Sequence, residues 1–282
     1  MTARYRGLTW DHPRGRLALE RAAARASATD AAARPLIEWD AQPLEGFESI
    51  PVEDLAERYD VIVLDHPHLG DAIEAGAIRP LDEVFDATFL DEVRAGAVGP
   101  STASYTLHGR LWALPLDAAT QVAVSVPEMV AEAPTTWADV IALSEESPVA
   151  LSLAGPHAFL SFASICVALG AEPAVGPGDG FVDAAVGAQA FAMMAEVAGR
   201  MPPGAAELNP IGLLERMRRD RDIAYVPLVY GYVNYASGPG ALRFDDAPAG
   251  NVGGRRGSTI GGTGIAISTR SRPSPELVAH LA

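Results

Sequence analysis

Two stretches of this 282-residue chain carry the same chemistry-bearing triplet. LTWDHPRGR at 8–16 and IVLDHPHLGD at 62–71 each end an apolar run in Asp-His-Pro, with a glycine and a helix-like segment behind it. Asp11 and Asp65 are carboxylate acceptors, and His12, His66 and His68 can donate or accept at either ring nitrogen. Three roles suit such a pair. The first is structural: the Asp caps a helix, the Pro stops a strand and the His fills space. The second is a hydrogen-bonding rim for a hydroxylated ligand, with Trp10 supplying an apolar face that suits a sugar ring. The third is a metal or acid–base site, since three His and two Asp are a possible ligand set. No His-x-x-x-His spacing accompanies them, and acid–base work requires shifted pKa values that a sequence does not reveal. The residues leave all three roles open.

The elements around them decide where the loops lie. YRGLTW (5–10) reads as a strand, followed by a helix over 14–28, a strand at 35–39, a short helix over 52–59 and an apolar strand at 60–65. A helix over 69–75 follows. Such alternation points to a parallel sheet with right-handed crossovers. In an open sheet of this type, ligands bind beyond the carboxyl ends of the strands. If the two Asp-His-Pro strands are neighbours, Asp11, His12, Asp65, His66 and His68 share one rim.

Further along, 111–117 and 120–126 read as strands with no helix between them. Thr136 to Asp139 reads as a capping box opening a helix to about Ser144. Residues 148–153 read as a strand, followed by Gly155-Pro156-His157 and an apolar helix to Leu169. A Gly/Pro loop is expected at 171–180, and a helix over 182–199 whose Met193 and Met194 fill the core. Asn209-Pro210 caps another helix, and 223–229 and 265–269 are strands. The final PELVAHLA reads as a helix cut short, so a longer natural chain is expected.

Composition narrows the function classes. With 49% hydrophobic and 20% charged residues, the chain can build a globular core. The net charge is −15, and every basic residue is Arg. That balance argues against nucleic acid or an anionic membrane as partner. The local run Arg216, Arg218, Arg219, Arg221 reads as cations at a helix C-terminus. The single cysteine, Cys166, sits in an apolar stretch and reads as a buried core thiol. No apolar run is long enough to span a membrane, and the start of the chain lacks the pattern of an export signal.

Several segments in order resemble the extracellular solute-binding proteins of ABC transporters, of the type II periplasmic-binding kind. They are LTWDHPRG, YDVIVLDHPHLGDA, YTLHGRLWALPLDAATQVAVSV, PTTWADVIAL, AYVPLVYGYVNYA and GGTGIAIS. In such proteins a Gly-x-x-Trp-Ala-Leu-Pro-like strand crosses between lobes, which maps here to Gly109, Trp112, Pro115, Asp117 and Gln121. The resemblance implies an α/β, two-lobed fold, each lobe a mainly parallel sheet flanked by helices, joined by crossover strands. It implies lobe 1 over 1–115, lobe 2 over 116–255 and a return to lobe 1 over 256–282, with terminal helices missing.

The implied function is binding of a small polar, sugar-like solute in an interlobe cleft, without a cofactor or metal. The implied partner is a transporter permease, and the implied location is periplasmic. By that resemblance the ligand-binding residues are Trp10, Asp11, His12, Asp65, His66, Asp117, Gln121, His157, Tyr230, Tyr232, Gly262 and Thr263. Each has a plainer role open to it. His157 is placed to cap a helix, Asp117 to pair with an Arg, and Tyr230, Tyr232 and Tyr235 to sit in the core with surface hydroxyls. Trp112 and Trp137 read as core. The alternative function is a cytoplasmic enzyme or ligand sensor on the same fold, with the paired loops in its active site.

Overall fold

A computed structural model of the chain describes residues 4–28, 35–43, 46, 50–173 and 180–282; of residues 26–28 only the backbone is considered. Residues 174–179 of the expected Gly/Pro loop lie outside this set. The chain divides into two compact units, 1–118 with 260–282, and 119–259.

The first unit opens with β1 (Tyr5–Trp10), α1 (Pro13–Ala28), β2 (Ile37–Gln42), α2 (Val52–Ala56), β3 (Val61–Asp65), α3 (Leu69–Glu74) and α4 (Ala87–Ala95). A small hairpin, β4 (Thr106–Leu107) with β5 (Arg110–Leu111), precedes β6 (Leu114–Pro115). In the second unit β7 (Ala119–Ser125) leads to the helices α5 (Trp137–Glu146), α6 (His157–Ala168), α7 (Ala184–Ala198) and α8 (Pro210–Asp220). β8 (Tyr225–Tyr230) and β9 (Arg243–Asp245) follow. The chain then returns to the first unit with β10 (Ile260–Gly261), β11 (Thr263–Ile267) and α9 (Pro275–Leu281).

In the first unit the strand order is β2-β1-β3-β11-β6. β1 runs parallel to β2 and β3, with Leu8 opposite Ile62. The two Asp-His-Pro strands are therefore neighbours. β3 is an unbroken apolar run with Val61 to Leu64 buried, as expected of a strand covered on both faces. β11 is antiparallel to both β3 and β6, so the sheet is mixed and only its β2-β1-β3 part is parallel. A strand returning from residues far along the chain needs no helical crossover, which removes the constraint to run parallel. Gly7 is required in β1, because a Cβ there would stand 2.5 Å from the ring of Trp39 on β2. Tyr5 ties the returning segment to β1: its hydroxyl donates to Arg272 O (3.0 Å) and accepts from Ser274 N (2.9 Å).

In the second unit β8 and β9 both pair antiparallel with β7. The core beneath includes Trp137, Val140, Leu151, Ile165, Cys166, Tyr225 and Leu228, all essentially inaccessible. Met193 and Met194 pack against it. Burial raises the Cys166 thiol above its ordinary pKa, which keeps it protonated and inert. The capping box is present at α5, with the Asp139 N–H donating to Thr136 Oγ1 (3.2 Å) and the Thr136 N–H donating to Asp139 (3.0 Å). Asn209 caps α8 by accepting from Gly212 N (2.9 Å). Arg216 and Arg219, from the basic run at its end, pair with Asp222 and Asp220.

Two expected strands are shorter than their apolar runs. Within 111–117 only Leu114–Pro115 pairs with β11. The Trp112 N–H instead donates to Tyr105 O (3.0 Å) and its indole N–H to Leu107 O (3.0 Å). Those bonds hold the segment to the hairpin, and Pro115 has no N–H to offer a ladder. Residues 148–153 make a single parallel bridge, Val149 to Tyr225. The chain leaves that ladder for the turn at Gly155, whose φ is +53°.

Candidate functional site

In the first unit the loops after β1 and β3 emerge from the same end of neighbouring strands, and they differ in detail. After β1, the Asp11 carboxylate turns to Arg16 (2.6 Å) and His12 takes the capping position, its Nδ1 accepting the Arg14 N–H (3.2 Å). The expectation that the Asp caps the helix fails here, because a surface Arg competes for the carboxylate. After β3, Asp65 makes no side-chain capping bond; its Oδ1 lies 3.2 Å from His66 Nδ1, and residues His66–His68 form a single 3-10 turn before α3.

The His12 ring stacks flat on Trp10, with centroids 4.8 Å apart and planes 4° apart. The Arg14 guanidinium lies 5.7 Å from the Trp10 ring centre. From there a chain of charge-assisted bonds runs inward. Arg14 Nε (3.0 Å) and Nη2 (2.6 Å) both donate to Asp117 Oδ2, and both side chains are about one-fifth exposed (21% and 19%). Asp117 Oδ1 accepts from the Thr263 N–H (2.6 Å) and the Thr263 hydroxyl (2.8 Å). Thr263 in turn lies opposite Asp65 in the β11–β3 register. Gly262 has a φ of +129°, and a Cβ on it would stand 2.4 Å from Asp117 O, so only glycine allows this approach.

Tyr105 closes the cluster. Its hydroxyl lies 3.0 Å from Gly262 O and 3.3 Å from Leu64 O, in position to donate to either, and its ring meets His66 edge-on at 6.2 Å. Burial, aided by the nearby charges of Asp65 and Asp117, raises its pKa far above the ordinary value, so it is a donor at every physiological pH. Trp10, Asp11, His12, Asp65, His66, Asp117, Gly262 and Thr263 are thus gathered at one end of one sheet. Arg14 and Tyr105 were not among the residues expected there. Gln42, opposite Trp10 in the β1–β2 register, lies at the same end, and its carbonyl accepts the Asp11 N–H (2.7 Å).

In the second unit a separate polar cluster forms around Gln121, which is opposite Tyr230 in the β7–β8 register. Gln121 is 2% exposed. Its Oε1 accepts from Ser164 Oγ (2.5 Å) and Thr259 Oγ1 (3.0 Å), while the Thr259 N–H donates to Ser164 Oγ (2.9 Å). The Tyr230 hydroxyl reaches Thr259 Oγ1 at 3.4 Å. His157 and Ser164, seven residues apart on α6, lie on one helix face. The His157 ring meets Tyr230 edge-on at 6.3 Å. His157 is the first residue of α6 and not its cap, that position being taken by Pro156. Tyr232 is buried, and the Tyr235 hydroxyl donates to Glu215 (2.6 Å). Ser164 and Thr259 were not anticipated from the sequence.

Among the described residues no three or more His, Cys, Asp or Glu are grouped to hold a metal ion, and no helix is long and apolar enough to cross a membrane.

Burial, with the nearby Arg14 charge, lowers the His12 pKa below 6.5. This agrees with its Nδ1 acting as an acceptor. A His whose folded pKa lies below its unfolded one binds fewer protons folded than unfolded, so its contribution is complete above about pH 6.5 and is lost as pH falls from there through the folded value. Urea denaturation at about pH 7.5 and about pH 5 is expected to show a stability loss that shrinks in His12→Asn, whose amide oxygen replaces Nδ1 without titrating. An unchanged loss in that variant assigns the effect elsewhere.

No protein-family model matches the chain, and no curated protein matches it. Solved structures do. An ABC transporter solute-binding protein from Thermotoga lettingae bound with alpha-D-tagatose superposes with a TM-score of 0.79 at 14% identity, over 99% of this chain and 77% of that one. One from Agrobacterium radiobacter in complex with ribitol gives 0.75 at 17%, over 99% and 74%. A maltose-bound protein from T. maritima gives 0.75 at 15%, over 99% and 75%. At such identities the likeness speaks for the fold, and the chain has the mixed α/β periplasmic-binding-protein fold of the ABC transporter solute-binding proteins.

Proposed function

We propose that this protein is the substrate-binding component of an ABC transporter and takes a small, uncharged, hydroxylated solute of the sugar or polyol class. The observation that carries the proposal is the gathering of the sequence-singled residues into two polar-aromatic clusters, one in each unit of this fold. The first offers the His12 ring, backed by the buried Trp10, beside Asp11, Asp65 and His66. The second offers Tyr230 and Thr259, set beside the buried His157, Gln121 and Ser164. Flat rings beside carboxylates, imidazoles and hydroxyls suit a ligand with an apolar ring face and many hydroxyl groups. The carboxylate of Asp117 and the amide oxygen of Gln121 are already engaged within the protein, so they support the groups that meet the solute. The partner in this reading is a transporter permease, and the protein works on the extracytoplasmic side.

The relatives in fold bind tagatose, ribitol, mannitol and maltose. Those four compounds form the test panel. Calorimetry with each is expected to give at least one saturable binding isotherm, and thermal unfolding should rise with that ligand. A ligand at a hundred times its Kd stabilises by about 2.7 kcal/mol. Absence of binding across the four, and across a wider set of pentoses, hexoses and disaccharides, rejects the sugar-class reading.

A further inference from the structure

We propose that Arg14 is a positioning residue that ties the Trp10–His12 face to the two segments through which the chain leaves and re-enters the first unit. The proposed function supplies the role of that face as a ligand surface; the tie itself stands on the geometry.

The chain leaves the first unit after Ala118 and re-enters at Ile260. Immediately beside these points the two segments are bonded to each other. The Leu116 N–H donates to Thr263 O (2.8 Å), and the Asp117 carboxylate takes both the N–H and the hydroxyl of Thr263. The close approach depends on Gly262 lacking a side chain. The second oxygen of Asp117 receives two donors of the Arg14 guanidinium. Arg14 is on the first turn of α1, where its own N–H is held by His12 Nδ1, and its charge lies over Trp10. One side chain therefore joins the ligand face, the outgoing segment and, through Asp117, the returning segment. Lys has no planar fork and holds one point rather than two. A ligand that shifts His12 acts on the same cluster that bonds these two segments of the first unit to each other.

The test uses the full chain without ligand, so its result is independent of which solute binds. Amide exchange at Leu116 and Thr263 is followed in Arg14→Gln, Arg14→Lys and Asp117→Asn, with Leu8 in β1 as the internal reference, alongside NMR titration of His12. His12 faces Arg14, Asp117 and Asp11, so its midpoint reports the charge balance of the cluster. In Arg14→Gln exchange at Leu116 and Thr263 is expected to quicken about tenfold while Leu8 is unchanged. The His12 midpoint rises because a neighbouring positive charge is gone. In Arg14→Lys the midpoint stays near its original value and exchange quickens less; in Asp117→Asn exchange quickens at the same two amides. If Arg14→Gln fails to fold, Arg14→Lys and Asp117→Asn carry the test alone. Unchanged exchange at Leu116 and Thr263 in the folded variants overturns the proposal, and so does uniform acceleration that includes Leu8.

Discussion

Gly257→Ala is expected to destabilise the protein by about 3 kcal/mol, the upper part of the range for overpacking a filled site. A Cβ on Gly257 would stand 1.7 Å from Ser164 O and 2.5 Å from Ala168 N. Both are backbone atoms of α6, which cannot swing aside as a side-chain tip does. The segment 257–259 must move off the helix, and Thr259 then loses Ser164 and Gln121 together. Gln121 is buried, so its amide oxygen would lose one of its two donors and the remaining group would carry a desolvation cost. Urea denaturation measures the difference, with Gly70→Ala as the control. Gly70 is inside α3, and a Cβ on it would meet nothing within 4 Å, so alanine there is expected to be neutral or mildly stabilising. Equal stabilities for the two variants contradict the packing described for α6.

His12→Ala and Tyr230→Phe are each expected to weaken binding of whichever panel sugar binds by about tenfold or more, the effect of losing one good polar contact. Trp10 is buried against the His12 ring, so His12 alone of the pair meets the ligand and its removal takes away a ring contact as well as a polar one. Tyr230→Phe deletes a hydroxyl whose contact to Thr259 is long, at 3.4 Å, so the loss of that contact should cost little stability. Tyr235→Phe is the comparison: that hydroxyl donates to Glu215, a residue outside the candidate cluster, at 2.6 Å, and affinity should be unchanged. Calorimetry on the folded variants separates the cases. Affinity retained in both His12→Ala and Tyr230→Phe removes these residues from the binding surface.

The local parts of this structure were largely legible in the sequence. The apolar run 60–65, the Thr136 capping box and the Asn209-Pro210 helix start are short-range patterns, and each appears where its residues placed it. What the pattern could not carry was partnership at long range. Apolar periodicity marks 148–153 as extended, but only the position of Tyr225 decides that it makes one bridge rather than a ladder. Arg14 is an ordinary helix residue until Asp117, 103 residues away, comes beside it. Thr259 meets Gln121 across 138 residues. The two Asp-His-Pro loops show the limit from the other side. Identical triplets are used differently: after β1 Asp11 pairs with Arg16 and His12 caps the helix, whereas after β3 Asp65 makes no capping bond.

The place of β11 in its sheet has a consequence for how the polypeptide is made. β11 lies between β3 and β6, although nearly two hundred residues separate it from β3 in sequence. During synthesis the second unit, one unbroken stretch, emerges whole while the inner edge of β3 still exposes unpaired backbone. An exposed apolar strand edge is a template for pairing with other chains. The nascent protein therefore carries an adhesive edge for the whole time its middle is being translated, and only the arrival of residues 263–267 seals it. Ribosome stalling or proteolysis ahead of that point should yield aggregates that the finished chain does not form.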